Sequence, residues 1–414
     1  MFKLETHRVK LPQHLAAFGL IVSLAGCAVP LTGSPPAGPA PPVIAIPYDE
    51  AVLKAANGLF SKAQPPEAGA GDAIKQMLVI DPLIDGESGA QSVATQAMEA
   101  RIVELVKAKY PQFDVQPFTA ANLAKSPLVF IGTFTPVDRQ GQSTGARESF
   151  RICLALLDIK SGKIIAKAKE FSQPEGVNIT PIRFFADSPT WVPDPAIEGY
   201  IKTCQGTKPG DPINPLYWDR ITAAALISEA INAYDNGKYQ KSLELYQSAG
   251  RSAGGDQLRV HNGIYLTSVK LGQRREATQA FGKVVDFGLK NKRLGVKFLF
   301  RPGSTDFMGD RQVAGDYQMW LEQIAQRTAK NQGCLEVVGH TSRTGPEPLN
   351  ERLSLLRAQQ IKHALEADAP ALNSRTIASG AGSRETLVGI GTDDARDALD
   401  RRAEFKVIDC STPK

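Results

Sequence analysis

Residues 28–47 read AVPLTGSPPAGPAPPVIAIP, a stretch with seven prolines and no charged side chain. Proline lacks a backbone N–H and fixes φ, so a run this dense builds neither helix nor central strand and favours extended, semi-rigid chain. Twenty such residues reach roughly 60 Å at about 3.1 Å each. The folded body must therefore lie beyond this run, and whatever precedes it is held apart from that body. With 414 residues the chain exceeds one ordinary core, so two or three domains are expected. The body has no run of roughly 20 apolar residues and is not expected to cross a bilayer.

Ahead of the tether, Lys3, Arg8 and Lys10 precede an apolar run from Leu15 to Leu24 that ends in Leu24-Ala25-Gly26-Cys27. This is the pattern of a secretory signal, assigned to residues 1–26. The tetrapeptide resembles the lipobox of bacterial lipoproteins, which implies cleavage before Cys27 and acylation of Cys27, with palmitate among the chains. Residues 27–76 are then expected to be a lipid-anchored, Pro-rich linker. Two or more acyl chains give stable anchoring. The family's sorting rules, with Ala28 rather than Asp after the Cys, imply the periplasmic face of the outer membrane. Losing Lys3, Arg8, Lys10 and Glu5 would take the formal charge from +5 to +3. Neither value is a nucleic-acid footprint, and no nucleic-acid partner is expected.

Residues 77–205 alternate strand and helix signals. MLVIDPLI is a short apolar run, ATQAMEARIVELVKAKY carries apolar residues at helical spacing, and FDVQPF and LVFIGTFTPV return to strand character. FRICLALLDIKSGKIIAKAKEF reads as a hairpin around Lys160-Ser161-Gly162-Lys163. The order predicts an α/β domain with helices on one face of a sheet. Asp81 beside Pro82, Asp85 in the same loop and Asp187 beside Ser188 sit in turn-forming contexts, and no histidine lies between His14 and His261 to activate a nucleophile. No catalytic residue, cofactor or enzyme activity is expected.

From 214 to 289 the pattern is helical throughout. ISEAINAYDNGKYQKSLELYQSA and GIYLTSVKLGQRREATQAFGKVV repeat one another in small and large residues, with Gly237 and Gly272 in matching places 35 residues apart. Small residues let paired helices approach while a large residue one turn on fills the gap. The region resembles tetratricopeptide (TPR) repeats. That resemblance implies helical hairpins presenting a groove to a protein partner, with Asn232, Tyr265 and Lys270 as groove candidates.

Residues 296–410 begin with VKFLFRPGSTDFM, a strand and loop, and continue with a helix from about Ala314 to Lys330. CLEVVGHT is a strand, LNERLSLLRAQQIKHAL a helix, TIASGAG a strand and RRAEFKVI the last strand. This βαβαββ order predicts a sheet with two helices on one face. GHTSRTGPEPLNERLSLLRA, SGAG and DRRAEFKVI resemble the OmpA-like domain. The fold class is thus multidomain α+β, with an N-terminal α/β domain, central TPR-like helical hairpins and a C-terminal OmpA-like domain.

The OmpA-like resemblance implies binding to peptidoglycan through the diaminopimelate residue of its stem peptide. The side-chain end of that residue is a zwitterion, so the family sets an Asp for the ammonium beside an Arg for the carboxylate. Arg357 takes the place of the Arg. Asn350 lies seven residues before it on one helical face, Thr344 matches a loop position lining the site, and Arg401 falls in the family's Asn-Arg-Arg motif, with Asp400 in place of the Asn. Ser342 stands where the family has its Asp. A hydroxyl cannot supply the charge, so ammonium recognition should weaken by about one to two orders of magnitude. Glu347 is an alternative amine partner, and His340 is read as structural.

Setting Cys27 aside leaves Cys153, Cys204, Cys334 and Cys410. None has zinc-ligand spacing, so no metal is expected. An oxidising compartment permits disulfides; pairing within each expected domain favours Cys153 with Cys204 and Cys334 with Cys410, while spacing alone leaves the connectivity open. Two functions follow from the sequence. One is an outer-membrane lipoprotein that tethers to peptidoglycan and scaffolds a protein through its helices. The other is an envelope adaptor, serving a secretion or cell-wall synthesis complex, that has lost wall binding.

Overall fold

The ten residues LVFIGTFTPV show no polar alternation, the mark of a strand covered on both faces. In the computed structural model they form β4 (Leu128–Val137), every residue of which is buried. The structure describes residues 41–63, 75–143, 147–190, 192–309, 316–386 and 395–411. The signal segment, Cys27 and the Pro-rich run up to residue 40 lie outside them. From Pro42 onward the chain packs as one unit.

Strand β4 is central to a mixed sheet with β1 (Gln76–Ile80), β3 (Phe113–Gln116), β5 (Ser149–Asp158) and β6 (Lys163–Ser172), in the order β3-β1-β4-β5-β6. The short β2 (Ile84–Asp85) also pairs with β4. The first three strands of the order run parallel, whereas β4, β5 and β6 are antiparallel. The β5–β6 turn falls at the expected hairpin, where Gly162 takes the left-handed φ of +69°.

Both faces of this sheet are covered, which corrects the expectation of helices on one face. On one side lie α1 (Tyr48–Phe60) and α2 (Val93–Lys109), packing Val52, Leu59, Phe60, Met98 and Ile102 against Phe130, Ile152 and Leu154. Helix α1 occupies part of the expected 27–76 linker, so extended chain does not continue to residue 76. Helix α2 starts with a reciprocal capping box between Ser92 and Thr95. Beyond the short α3 (Ala120–Leu123) and α4 (Arg183–Asp187), the other face is covered by α5 (Pro195–Gln205), α6 (Pro215–Trp218) and α7 (Ile221–Asp235). There Ile197, Tyr200, Tyr217 and Ala225 meet Val129, Ile131 and Ala155. Asp194 caps α5 through the Ala196 and Ile197 amides, and Pro195 supplies a first residue that needs no N–H partner.

Helix α7 pairs with α8 (Tyr239–Arg251), and α9 (Leu258–Lys270) with α10 (Arg274–Lys290). Gly237 and Gly272 close the two turns, each with φ of +72°. Gly263 of α9 lies flat on the fully buried Tyr246 ring of α8, where an added Cβ would sit 2.2 Å from Cζ. Gly263→Ala should therefore destabilise the chain by about 1–3 kcal/mol, read from urea unfolding, because a close-packed helix pair cannot absorb a methyl group without moving.

The second sheet contains β7 (Phe298–Leu299), β8 (Cys334–Gly339), β9 (Thr376–Gly380) and β10 (Arg402–Ile408), in the order β7-β10-β8-β9. Strands β8 and β9 are parallel, and β10 is antiparallel to β8 and β7. Helices α11 (Tyr317–Lys330) and α12 (Glu347–Asp368) pack one face through Trp320, Ile324, Ala358 and Ile361 against Leu335, Val337, Ala403 and Phe405. A short α13 (Ala395–Asp400) precedes β10. Cys334 and Cys410 are disulfide-bonded.

The expected boundary near residue 290 does not separate two cores. Phe281 of α10 stacks on Trp320 of α11 with centroids 5.3 Å apart, and the Trp320 Nε1–H donates to the Tyr265 hydroxyl at 2.7 Å. The Arg327 guanidinium pairs with Asp286 across the same junction. One hydrophobic cluster therefore includes residues from Ile182 and Phe184 through the helical hairpins to Phe405.

Candidate functional site

Two glycines let α12 lie almost on the second sheet. A Cβ on Gly339 of β8 would meet the Ser354 carbonyl at 1.8 Å, and one on Gly380 of β9 would meet the Glu351 carbonyl at 2.8 Å. The Ser354 hydroxyl fills the contact, donating to the Glu351 carbonyl at 2.7 Å and accepting from the Gly382 amide at 3.0 Å. This close approach drives the next helical turn, Arg357, beneath the loops at the ends of β7 and β8.

Arg357 is fully buried. Its Nε donates to the Ser304 carbonyl at 3.0 Å, Nη1 to the His340 carbonyl at 3.0 Å and Nη2 to the Arg301 carbonyl at 2.9 Å. The guanidinium also sits over the Phe300 ring, 5.1 Å from its centroid. Burial, and then the charge of nearby Arg401, lower its pKa to about 10, so it stays cationic at neutral pH. The expected clamp residue is thus a pin, engaging three carbonyls from two loops rather than facing solvent.

The other candidates gather around it. Ser342 and Thr344 share a hydroxyl–hydroxyl hydrogen bond of 2.8 Å, and Asn350 Nδ2 donates to the Gly345 carbonyl at 3.3 Å. Arg401 lies close enough to Arg357 to depress its pKa, and its carbonyl accepts from the Phe300 amide at 2.8 Å. Ser342, Asn350 and Arg401 are buried, and Thr344 is half-buried. Glu347 is tied to the neighbouring loop: Ser383 donates to it through its amide at 3.1 Å and through its hydroxyl, and these bonds lower its pKa. An ammonium reaching Glu347 would have to compete with Ser383.

His340 points away from this cluster into an ion network on the far face of the sheet. Its Nε2 lies 3.1 Å from Glu404 and its Nδ1 3.8 Å from Glu385. Arg402 donates to Glu404 at 3.1 Å and to the Glu385 carbonyl at 3.1 Å. Although the His340, Glu385 and Glu404 side chains fall within ligand distance of one another, the carboxylates address opposite ring nitrogens and Arg402 already neutralises Glu404. The arrangement is that of a structural ion network.

The three groove candidates do not share a groove. Lys270 is ion-paired to Asp187 at 2.9 Å, and Tyr265 is buried against Trp320. Asn232 is exposed and lines an open cleft of about 480 Å³ together with Glu99, Phe118, Lys238 and Lys241. Cys153 and Cys204 are unbonded in the structure. Among the described residues no helix is long and apolar enough to cross a membrane.

Residues 299–399 match the OmpA family. This segment is an OmpA family domain. Outer membrane porin F of Pseudomonas fluorescens is 37% identical over 93 residues, which is 22% of this chain and 27% of the porin. The chain thus spans about a quarter of that relative. Among solved structures, the peptidoglycan-associated lipoprotein of Burkholderia pseudomallei is 24% identical, covering 27% of this chain and 89% of its own, with a TM-score of 0.24. The C-terminal domain of Helicobacter pylori MotB is 19% identical, covering 27% of this chain and 84% of its own, with a TM-score of 0.23.

The ionisable groups give the two sheets opposite responses to pH. In the OmpA-like domain, burial and then Arg402 lower the His340 pKa. Burial alone would raise Glu404, but Arg402 and His340 hold its carboxyl well below the usual range. Both shifts make the unfolded chain the better proton acceptor: the His340 contribution is lost as pH falls below about 6.5, the Glu404 contribution only as pH falls below the ordinary glutamate value of 4.5. In the first sheet, burial raises Asp81 to about 6 and Glu99 to about 7. Their contribution is present at low pH and is lost as pH rises through 6 to 7. Between pH 7.5 and 5.5, hydrogen exchange corrected for intrinsic rate should show protection falling several-fold in β8 and β10 and rising several-fold in β1 and α2. The same direction of change in both sheets would refute the assignment.

Proposed function

We propose that this chain is an envelope lipoprotein, anchored through acylated Cys27 in the outer membrane and facing the periplasm, whose OmpA-like domain docks on peptidoglycan. The observation that supports this most is the convergence of Ser342, Thr344, Asn350, Arg357 and Arg401 within an OmpA family segment. Arg357 acts from below, holding the 301–304 and 340–345 loops in register, and those loops meet the diaminopimelate end of the stem peptide. TPR-like hairpins α7–α10 carry a protein partner, for which the cleft around Asn232 and a second one along α9 and α10 beside Tyr265 and Arg274 are open surfaces. No nucleic acid and no cofactor enter this reading.

A second reading, an envelope adaptor that no longer binds the wall, is favoured by one feature. Ser342 supplies no carboxylate, and both it and Arg357 are buried. Co-sedimentation with purified sacculi separates the readings. Because α9, α10 and the C-terminal sheet share a core, the chain from Pro42 should be used rather than residues 296–410 alone. Pelleting with sacculi, competed by free stem peptide, supports the first reading; a chain that remains wholly in the supernatant supports the adaptor.

A further inference from the structure

Cys153 lies on β5 and Cys204 near the end of α5, and the two meet inside the core on the α5 side of the first sheet. Their sulfurs are 3.0 Å apart, inside van der Waals contact. Each also approaches the other residue's carbonyl, Cys153 Sγ to Cys204 O at 2.7 Å and Cys204 Sγ to Cys153 O at 3.0 Å. Thiols are weak donors, so two of them crowded together here gain little as thiols. Cys334 and Cys410 already form a disulfide with each other and do not compete.

We infer that Cys153 and Cys204 form a second disulfide, a buried clip that fastens α5 to β5. Once one of the two thiols is deprotonated, its thiolate displaces one sulfur of an oxidant disulfide, such as oxidised glutathione, to give a mixed disulfide and one glutathione thiolate. The other cysteine, giving its proton to solvent, then attacks the protein sulfur of that mixed disulfide and expels the second glutathione. Two protein thiols lose two electrons, and one oxidant disulfide becomes two thiols. Both sulfurs are shielded once α5 is seated, so the reaction belongs to folding, before α5 docks.

The clip has a structural consequence. Gln205, directly after Cys204, donates to the Thr133 and Thr135 hydroxyls at 3.1 and 3.0 Å and accepts from Arg151 at 2.9 Å. The loop that the clip closes contains the strap that reaches the second sheet, where the Lys297 amide donates to the Pro189 carbonyl at 2.9 Å and Thr190 bridges Val296. Fixing α5 thus fixes one end of the link between the two sheets.

The test refolds the chain from Ala28 to Lys414 in a reduced/oxidised glutathione buffer, so the outcome is independent of where the protein resides. The product is denatured without reductant in excess N-ethylmaleimide and weighed. No adduct is expected, four are expected after prior reduction, and a Cys153–Cys204 linked peptide should vanish on reduction. Two adducts, on Cys153 and Cys204, overturn the assignment. A Cys334→Ala/Cys410→Ala variant, which retains only the proposed pair, should likewise take no adduct. Labelling of that variant, or linkage of Cys153 or Cys204 to any other cysteine in the wild type, also overturns it.

Discussion

Arg357→Ala is expected to destabilise the folded chain by about 3–5 kcal/mol, with the loss appearing as a lower urea midpoint followed through Trp320 fluorescence. The truncation removes the donor to the buried His340 carbonyl and to the part-buried Ser304 carbonyl, and one of the two donors to the Arg301 carbonyl, which also accepts from the Ser304 amide at 3.3 Å; an unsatisfied buried acceptor costs about 1–3 kcal/mol. It also strips the cation from the Phe300 face and opens a hole beneath two loops. Relief from desolvating a buried guanidinium beside Arg401 offsets part of this, which keeps the net value below the simple sum. Arg357→Lys should recover little, because a single ammonium cannot span three carbonyls arranged around a planar fork. A guanidinium reserved for ligand would behave differently: alanine would leave the midpoint unchanged and lower only sacculus binding. A shift under about 1 kcal/mol would therefore sink the structural role given to Arg357.

Ser342→Asp should tighten sacculus binding about 10- to 100-fold, measured by sedimentation over a range of sacculus concentrations. A hydrogen bond to a charged partner contributes roughly 1.5–3 kcal/mol, and each 1.4 kcal/mol is a factor of ten. The new carboxylate would be buried, with the Thr344 hydroxyl able to donate to it. The guanidinium of Arg357, whose Nη1 bonds the carbonyl two residues before position 342, offers it a compensating positive field. Equal binding by wild type and variant would mean that position 342 does not meet the ammonium. No binding by either would leave the adaptor reading standing.

Much of the C-terminal architecture was legible because short apolar runs bounded by Gly and Pro, such as CLEVVGHT and TIASGAG, leave few alternatives to strands. The burial of Arg357 was present in the sequence but masked. Ser354, Arg357, Ala358, Ile361 and Leu365 follow helical spacing and form the inner stripe of α12, while Leu349 and Leu356 face solvent. Counting leucines rather than following the phase of Ala358, Ile361 and Leu365 hides that stripe. Helix α1 was missed for a different reason: its buried face is built largely of Ala51, Ala55 and Ala56, a weak hydrophobic signal directly after a Pro-rich run. Helix α5 is short and Pro-initiated, and no sequence element was assigned to it. The joint core of α9, α10 and α11 rests on long-range pairing of Phe281, Tyr265 and Trp320, which no local pattern encodes.

That junction bears on how the protein would carry mechanical load. A pull entering at the loops around Ser342 passes through Arg357 into α12, across the sheet to Trp320, and on into α9 and α10 through stacked rings and the Arg327–Asp286 pair. No joint interrupts that path. The hairpins and the OmpA-like domain would turn together as one lever, and compliance between a fixed wall and a fixed membrane would have to come from outside this body.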